Sequence, residues 1–317
     1  MSPITGKGTH YEGPILGSSN AQGGLFRNVS ADVTSRLLSK YKVWFEDFRV
    51  PMAPTADGLV AAGAGTGMNG SGWTVTVIGA AAGHTIGVID RFPDLRINCG
   101  TAADTGYNLQ HNFAITAAAT HPYHDVWGPV VSTAPGWDNR EFIFATRLNY
   151  VHTGAWASKF AIGVAVTDTA LMTPGTGDID AVTTGGATMF HVSEAGVLSG
   201  AQHRTGGTTL TLTTLKNPID SHASPQQIID NTFLDLGFRM SYGDSSDITD
   251  PKNYTEWYVN GRKIATTQFN NPMTSTQTYS ISIEAMNGGG GTEAMDLAVD
   301  YIFTAVSRTG DAYNVNL

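Results

Sequence analysis

Residues 234–242 read LDLGFRMSY, apolar and polar in strict alternation. A period of two suits an extended strand, in which successive side chains leave opposite faces. Leu234, Leu236, Phe238, Met240 and Tyr242 then share one face, and Asp235, Gly237, Arg239 and Ser241 the other. The same grammar recurs along the chain. YSISIEA (279–285) sets Tyr279, Ile281 and Ile283 against Ser280, Ser282 and Glu284. Further strands are expected from 41–48 onward: at 73–79, 84–90, 94–99, 107–115, 141–151, 158–167, 188–193, 208–214 and 295–306. Only VTSRLLSKY (33–41) offers a helical stretch, of one or two turns. Many strands punctuated by Gly, Pro and Asn, with almost no helix, predict an antiparallel β-sandwich or jelly roll. No repeat of fixed period is present, which disfavours a propeller or solenoid.

The stretch YTEWYVNGRKIATT (254–267) predicts a hairpin. Asn260-Gly261 suits a two-residue type I′ turn, whose central positions both need positive φ. That turn sets Val259 against Arg262, Trp257 against Ile264 and Thr255 against Thr266. Trp257, Val259 and Ile264 form a core face; Glu256, Tyr258 and Lys263 form an outer, solvated one.

With 317 residues, 41% of them hydrophobic, the chain can bury a large core. Residues 1–40 lack periodicity and read as an extended N-terminal arm. Residues 41–308 read as the jelly-roll domain and 309–317 as a polar C-terminal tail. The Gly/Ala-rich 58–72 is an insertion rather than a boundary. Charged residues make up only 14%, against about a quarter in ordinary globular chains. This fits a protein packed against neighbours. Net charge is −9 and no Lys/Arg cluster occurs, so nucleic-acid binding is not expected. MSPITGKGTHYEG has no apolar h-region and no long apolar run follows; neither secretion nor a membrane span is expected. The sequons at Asn28, Asn69 and Asn253 then carry no meaning.

The chemistry-bearing patterns are sparse. Cys99 is the single cysteine, which rules out an internal disulfide; within LRINCG it reads as a small buried hydrophobe. His121, His124 and Asp125 flank a proline and read as a surface loop, lacking a third zinc ligand. The acidic run 244–250 fails the calcium-loop spacing. Neither a metal nor a cofactor is expected. A glycan hydrolase on such a sheet needs two carboxylates about 5–9.5 Å apart. Glu46 and Asp47 point to opposite faces. Asp296 and Asp300 share a face but lie four residues apart, about 13 Å. Asp235, Glu256 and Glu284 would have to converge from separate strands. Arg147, Arg239, Tyr258 and Lys263 are candidate ligand contacts on an exposed sheet face, for sugar in particular.

An ordered set of segments resembles a known family. It comprises FIFATRLNYV, FAIGVAVTDTALM (160–172), MFHVSEAGVL (189–198), TFLDLGFRMSYG (232–243), the Asn-Gly hairpin and AVDYIFTAVSR (298–308), with the leader YEGPILGSSNAQGG. Together they resemble the concanavalin A-like jelly-roll proteins of tailed-phage virions. The resemblance implies a non-enzymatic virion structural protein, a capsid decoration or cement protein or a related minor component, at the capsid surface. No catalytic residue carries over. Its partner would be the major capsid protein or another virion protein, met through an arm offering Tyr11, Pro14, Ile15, Leu16 and Phe26. A homo-oligomer such as a trimer would add avidity. The alternative is a carbohydrate-binding virion module contacting host glycans; a glycan hydrolase is the third reading.

Overall fold

The computed structural model describes residues 41–46, 48, 73–79, 85–89, 92–111, 115–116, 141–152, 159–173, 175–176, 179, 186–192, 196–203, 210–216, 225, 232–241, 254–268, 278–288 and 295–307. Every regular element among them is a strand: β1 (Tyr41–Glu46), β2 (Trp73–Ile78), β3 (Thr85–Ile89), β4 (Phe92–Asn98), β5 (Gly106–His111), β6 (Ile115–Thr116), β7 (Glu141–His152), β8 (Lys159–Val166), β9 (Ala187–Val192), β10 (Leu198–His203), β11 (Leu210–Thr214), β12 (Thr232–Ser241), β13 (Tyr254–Val259), β14 (Arg262–Gln268), β15 (Thr278–Met286) and β16 (Met295–Ser307). They form two antiparallel sheets. Sheet I runs β14-β13-β12-β7-β16-β4-β3, with β1 also on β16; sheet II runs β11-β10-β9-β8-β15-β5-β2, with β6 also on β15. The fold is the all-β antiparallel sandwich that the alternation predicts.

The inner faces build the core. Sheet I contributes Phe142, Phe144, Leu148 and Tyr150 from β7, and Leu234, Leu236, Phe238 and Met240 from β12; sheet II contributes Phe160, Ile162 and Val164 from β8, and Tyr279, Ile281 and Ile283 from β15. Aromatic rings join the layers: Phe190 meets Trp257 edge-on at 5.2 Å and Tyr150 meets Phe160 at 5.7 Å. Such pairs add about 0.5–1.5 kcal/mol each beyond burial. A polar bridge also crosses the interior at one margin. Gln202 of β10 donates to Thr255 Oγ1 and accepts from Thr267 Oγ1, which in turn accepts from Trp257 Nε1, at 2.8, 2.8 and 3.0 Å.

Sheet II is covered on its outer face too, so β8 is buried at every residue. Leu171, Met172 and Ile179, from the segment after β8, pack with Ala161, Ala165, Ala187, Met189, Ala201 and Met286. Glu284 pins this strap. Its carboxylate, fully buried, accepts from the amides of Leu171 (2.5 Å) and Met172 (3.0 Å). Asn108 and Gln110 on β5 fasten the start of the strap through the carbonyls of Asp168 and Val166.

Two expectations need correction. Strand β10, LSGAQH, was not anticipated, because Gly200 and Gln202 occupy inward positions where the pattern calls for apolar residues. The hairpin turn is as expected, with φ of 48° at Asn260 and 74° at Gly261, and Val259 does face Arg262. Beyond it, a bulge between Trp257 and Tyr258 shifts the register, so Trp257 faces Ala265 and Thr255 faces Thr267. Ile264 and Ala265 both pack against the core. Of the stretch 33–41 expected to hold helical turns, Tyr41 opens β1 and the rest lies outside the described residues, as do the arm residues Tyr11, Pro14, Ile15, Leu16 and Phe26.

Candidate functional site

The outer face of sheet I gathers the charged side chains. Strand pairing sets Arg147 of β7 between Asp235 of β12 and Tyr301 of β16. A bulge between Val299 and Tyr301 inserts Asp300 beside it. Arg147 Nε lies 3.9 Å from Asp235 Oδ1, and Nη1 lies 3.7 Å from Asp300 Oδ2. Both gaps exceed the roughly 3.2 Å of an N–H···O hydrogen bond. Nε is shielded and makes no hydrogen bond. The Arg147 side chain as a whole is 40% exposed, and its guanidinium carbon sits 4.7 Å from the centre of the Phe233 ring. Phe233 is itself an exposed large hydrophobic.

The electrostatics follow from this crowding. Burial raises the Asp235 carboxyl above its ordinary range; Arg147 opposes that rise and Asp300 adds to it. Burial also pushes the Tyr301 phenol up, and the two aspartates reinforce the effect. Arg147 thus lies between two carboxylates and closes a hydrogen bond with neither. The half-exposed guanidinium can donate to a polar ligand. The hairpin tip steadies it: the amide of Asn260 donates to the Asp235 carbonyl at 2.7 Å, and the Asp235 amide donates to Asn260 Oδ1 at 3.1 Å.

A second charged group lies further along the same face, and it is closed. Arg239 is 3% exposed and pairs with Glu141 and with Glu256, the latter at 3.4 Å. Glu256, also buried, accepts from the Tyr258 hydroxyl at 2.9 Å and from Lys263 Nζ at 3.2 Å. Arg239 and Tyr258 are therefore not exposed contacts, contrary to expectation, and neither is Glu256 solvated. Alternation correctly places them on the outer face; it does not reveal that β13 is buried on both faces. Of the four expected contacts, Arg147 and Lys263 are partly exposed, and only Arg147 is not held by a close carboxylate.

The three carboxylates weighed for hydrolysis do not converge. Asp235 and Glu256 stand on sheet I, with Glu256 opposite Arg239, four residues along β12 from Asp235. Glu284 points out from sheet II, on the other side of the sandwich. Asp300 is what joins Asp235, through a bulge that no period-two reading reveals. Phe233 was missed as well, although its place two residues before Asp235 was legible. Cys99 is buried with its thiol pushed up by burial, 3.9 Å from Met295 Sδ, as a small hydrophobe should be. Among the described residues no group of three His, Cys, Asp or Glu could hold a metal ion. His121, His124, Asp125 and 244–250 lie outside those residues.

No family model matches the chain, and neither does any curated protein. Solved structures similar to it include the Emp47p carbohydrate recognition domain, at 13% identity and TM-score 0.42, covering 84% of this chain and 96% of that one. A protein of unknown function from Shewanella oneidensis MR-1 is similar at 11% identity and TM-score 0.44, covering 86% and 90%. The Crh5 transglycosylase in complex with NAG is similar at 9% identity and TM-score 0.41, covering 85% of each chain.

Proposed function

We propose that the protein is a carbohydrate-binding β-sandwich module of a tailed-phage virion, binding glycans without cleaving them at Arg147, Phe233, Asp235 and Asp300. The observation that carries this reading is the loose Arg147 site: a half-exposed guanidinium held beyond hydrogen-bonding distance of two carboxylates, beside an exposed aromatic ring. Sugars are recognised by such sets, because each hydroxyl both donates to a carboxylate and accepts from a guanidinium. The phage setting rests on the ordered sequence segments described above. A glycan array probed with the full chain tests the reading. Binding should appear and fall at least tenfold in Arg147→Ala; an array without hits would refute it.

A second role is compatible with the first and has its own support in the sequence. Tyr11, Pro14, Ile15, Leu16 and Phe26 are apolar residues in a Gly- and Ser-rich leader. Buried against a capsid shell they would supply about 25 cal/mol per Å² of apolar area, less ordering costs. The arm then fastens the module to the capsid as a decoration protein.

A further inference from the structure

The strap over sheet II is fastened at three points. At its start, Asn108 Nδ2 and Gln110 Nε2 donate to the carbonyls of Asp168 and Val166, and Gln110 Oε1 accepts from the Asp168 amide at 2.8 Å. Further on, the Gly175 amide donates to Asp104 Oδ1 at 2.6 Å, and the Gly175 carbonyl accepts from Lys159 Nζ at 3.0 Å. Between these two, the amides of Leu171 and Met172 both close on the carboxyl of Glu284. A bridge from Met172 to Ile179 folds the strap back on itself. The middle fastening alone depends on an acid shut away from water, since Glu284 is 0% exposed.

A neutral carboxyl has a proton to place, and one buried acceptor stands opposite. Asn108 pairs with Glu284 across β5 and β15, at the separation where side chains of neighbouring strands meet. Its Nδ2 is engaged by Asp168, but its Oδ1 is enclosed without a donor. An enclosed acceptor costs free energy until a donor reaches it; a neutral Glu284 supplies one. The surroundings favour that state. Burial raises the Glu284 carboxyl to about 8, the two amides oppose the rise, and Asp168 on the strap adds to it. Among the described residues no cation pairs with Glu284. Lys159 stands opposite Met286, two residues along β15, and reaches to Gly175; His191 lies beyond Ala161, two strands away. Asp104 is turned to Gly175, and Cys99 is a thiol pushed up by burial.

We infer that Glu284 is a proton-operated latch: neutral, it holds the strap by accepting from Leu171 and Met172 and donating to Asn108 Oδ1; ionised, it lets the strap lift. Loss of the proton leaves a charge without a cation inside the apolar cluster and takes the donor from Asn108. Lifting Leu171 and Met172 hydrates that charge while both sheets stay paired, a local opening that costs less than unfolding. The closed strap holds its proton more tightly than a free carboxyl does. Its advantage is therefore complete below 4.5, shrinks as pH rises and is lost above about 8. The lifted strap uncovers Ala161, Ala165, Met189 and Met286, an apolar surface that exists only in alkaline medium.

The test is amide exchange by NMR on the full chain, each rate divided by that of unstructured chain at the same pH. Protection of the Leu171 and Met172 amides should fall about tenfold or more between 4.5 and about 8, while that of Ile162 and Phe238, inside the sheets, holds. The carboxyl carbon of Glu284 and the side-chain amide carbon of Asn108 should titrate together, with one midpoint well above 4.5. Glu284→Gln cannot ionise and still offers Asn108 a donor, so its strap should stay protected at every pH. Asp168→Asn keeps an acceptor for the amides of Thr169 and Ala170 but removes the charge, and should lower the Glu284 midpoint. If Glu284→Gln does not fold, the parent titration and Asp168→Asn decide alone. Strap protection that ignores pH, or that falls equally at Ile162 and Phe238, would overturn the inference. So would a Glu284 midpoint at or below 4.5, or an Asn108 carbon that stays silent through the titration.

Discussion

Glu284 lies in an apolar cluster beneath the strap yet receives two backbone N–H groups, from Leu171 and Met172. Burial raises its carboxyl from 4.5 to about 8, the two amides oppose this, and Asp168 adds to it. A folded-state value above the unfolded one means that the native protein holds its proton more tightly. The stability this confers is complete below 4.5 and is lost as pH rises through about 8. Calorimetric melting should show Tm falling across that window, and Glu284→Gln should flatten the fall. The two arginines of sheet I separate by the same logic of burial. Arg239→Ala leaves Glu141 and Glu256 without their shared cation and should cost about 3–5 kcal/mol in urea unfolding. Arg147→Ala removes a half-exposed, loosely paired side chain, so its stability should change by less than about 1 kcal/mol while glycan binding is lost. If Arg147→Ala unfolds the protein instead, the site is structural.

At the scale of elements, the hairpin and β10 show two ways in which a strand is specified. The β13–β14 turn needs left-handed backbone at Asn260 and Gly261, and Asn-Gly announces it locally. Gly261→Ala should cost about 1–2 kcal/mol, visible as a lower urea midpoint. The bulge two residues further on has no such signature. It moves Trp257 onto Ala265 and Thr255 onto Thr267, the position from which Thr267 donates to Gln202. Strand β10 is specified from across the sandwich. A Cβ on Gly200 would come within 2.5–2.7 Å of the Trp257 indole, so the glycine there is a space for a ring. Gly200→Ala should destabilise by about 1–3 kcal/mol through overpacking, again read in urea unfolding. Gln202 looks like a loop residue until its amide is seen bridging Thr255 and Thr267.

For the whole molecule, the decisive prediction concerns the arm. Deleting residues 2–30 should abolish association with capsids, seen as lost density by electron microscopy of intact particles, while leaving glycan binding by the isolated chain unchanged. Full occupancy after the deletion would remove the capsid role alone. The low charge content fits the architecture: sheet II has a second apolar cluster on its outer face, so strands that a two-layer sandwich would leave half-wet are buried on both faces. By itself the sequence determined the all-β class, most strands, the turn at Asn260-Gly261 and which side chains share a face. Each of these depends on backbone sterics and a period of two, which are local. Only the tertiary structure decided which faces are covered, that Arg239 and Tyr258 are interior, that Glu284 clamps a strap, and that a bulge brings Asp300 to Arg147 and Asp235. These depend on contacts between residues far apart in the chain, where burial and charge are set by neighbours that no local pattern names.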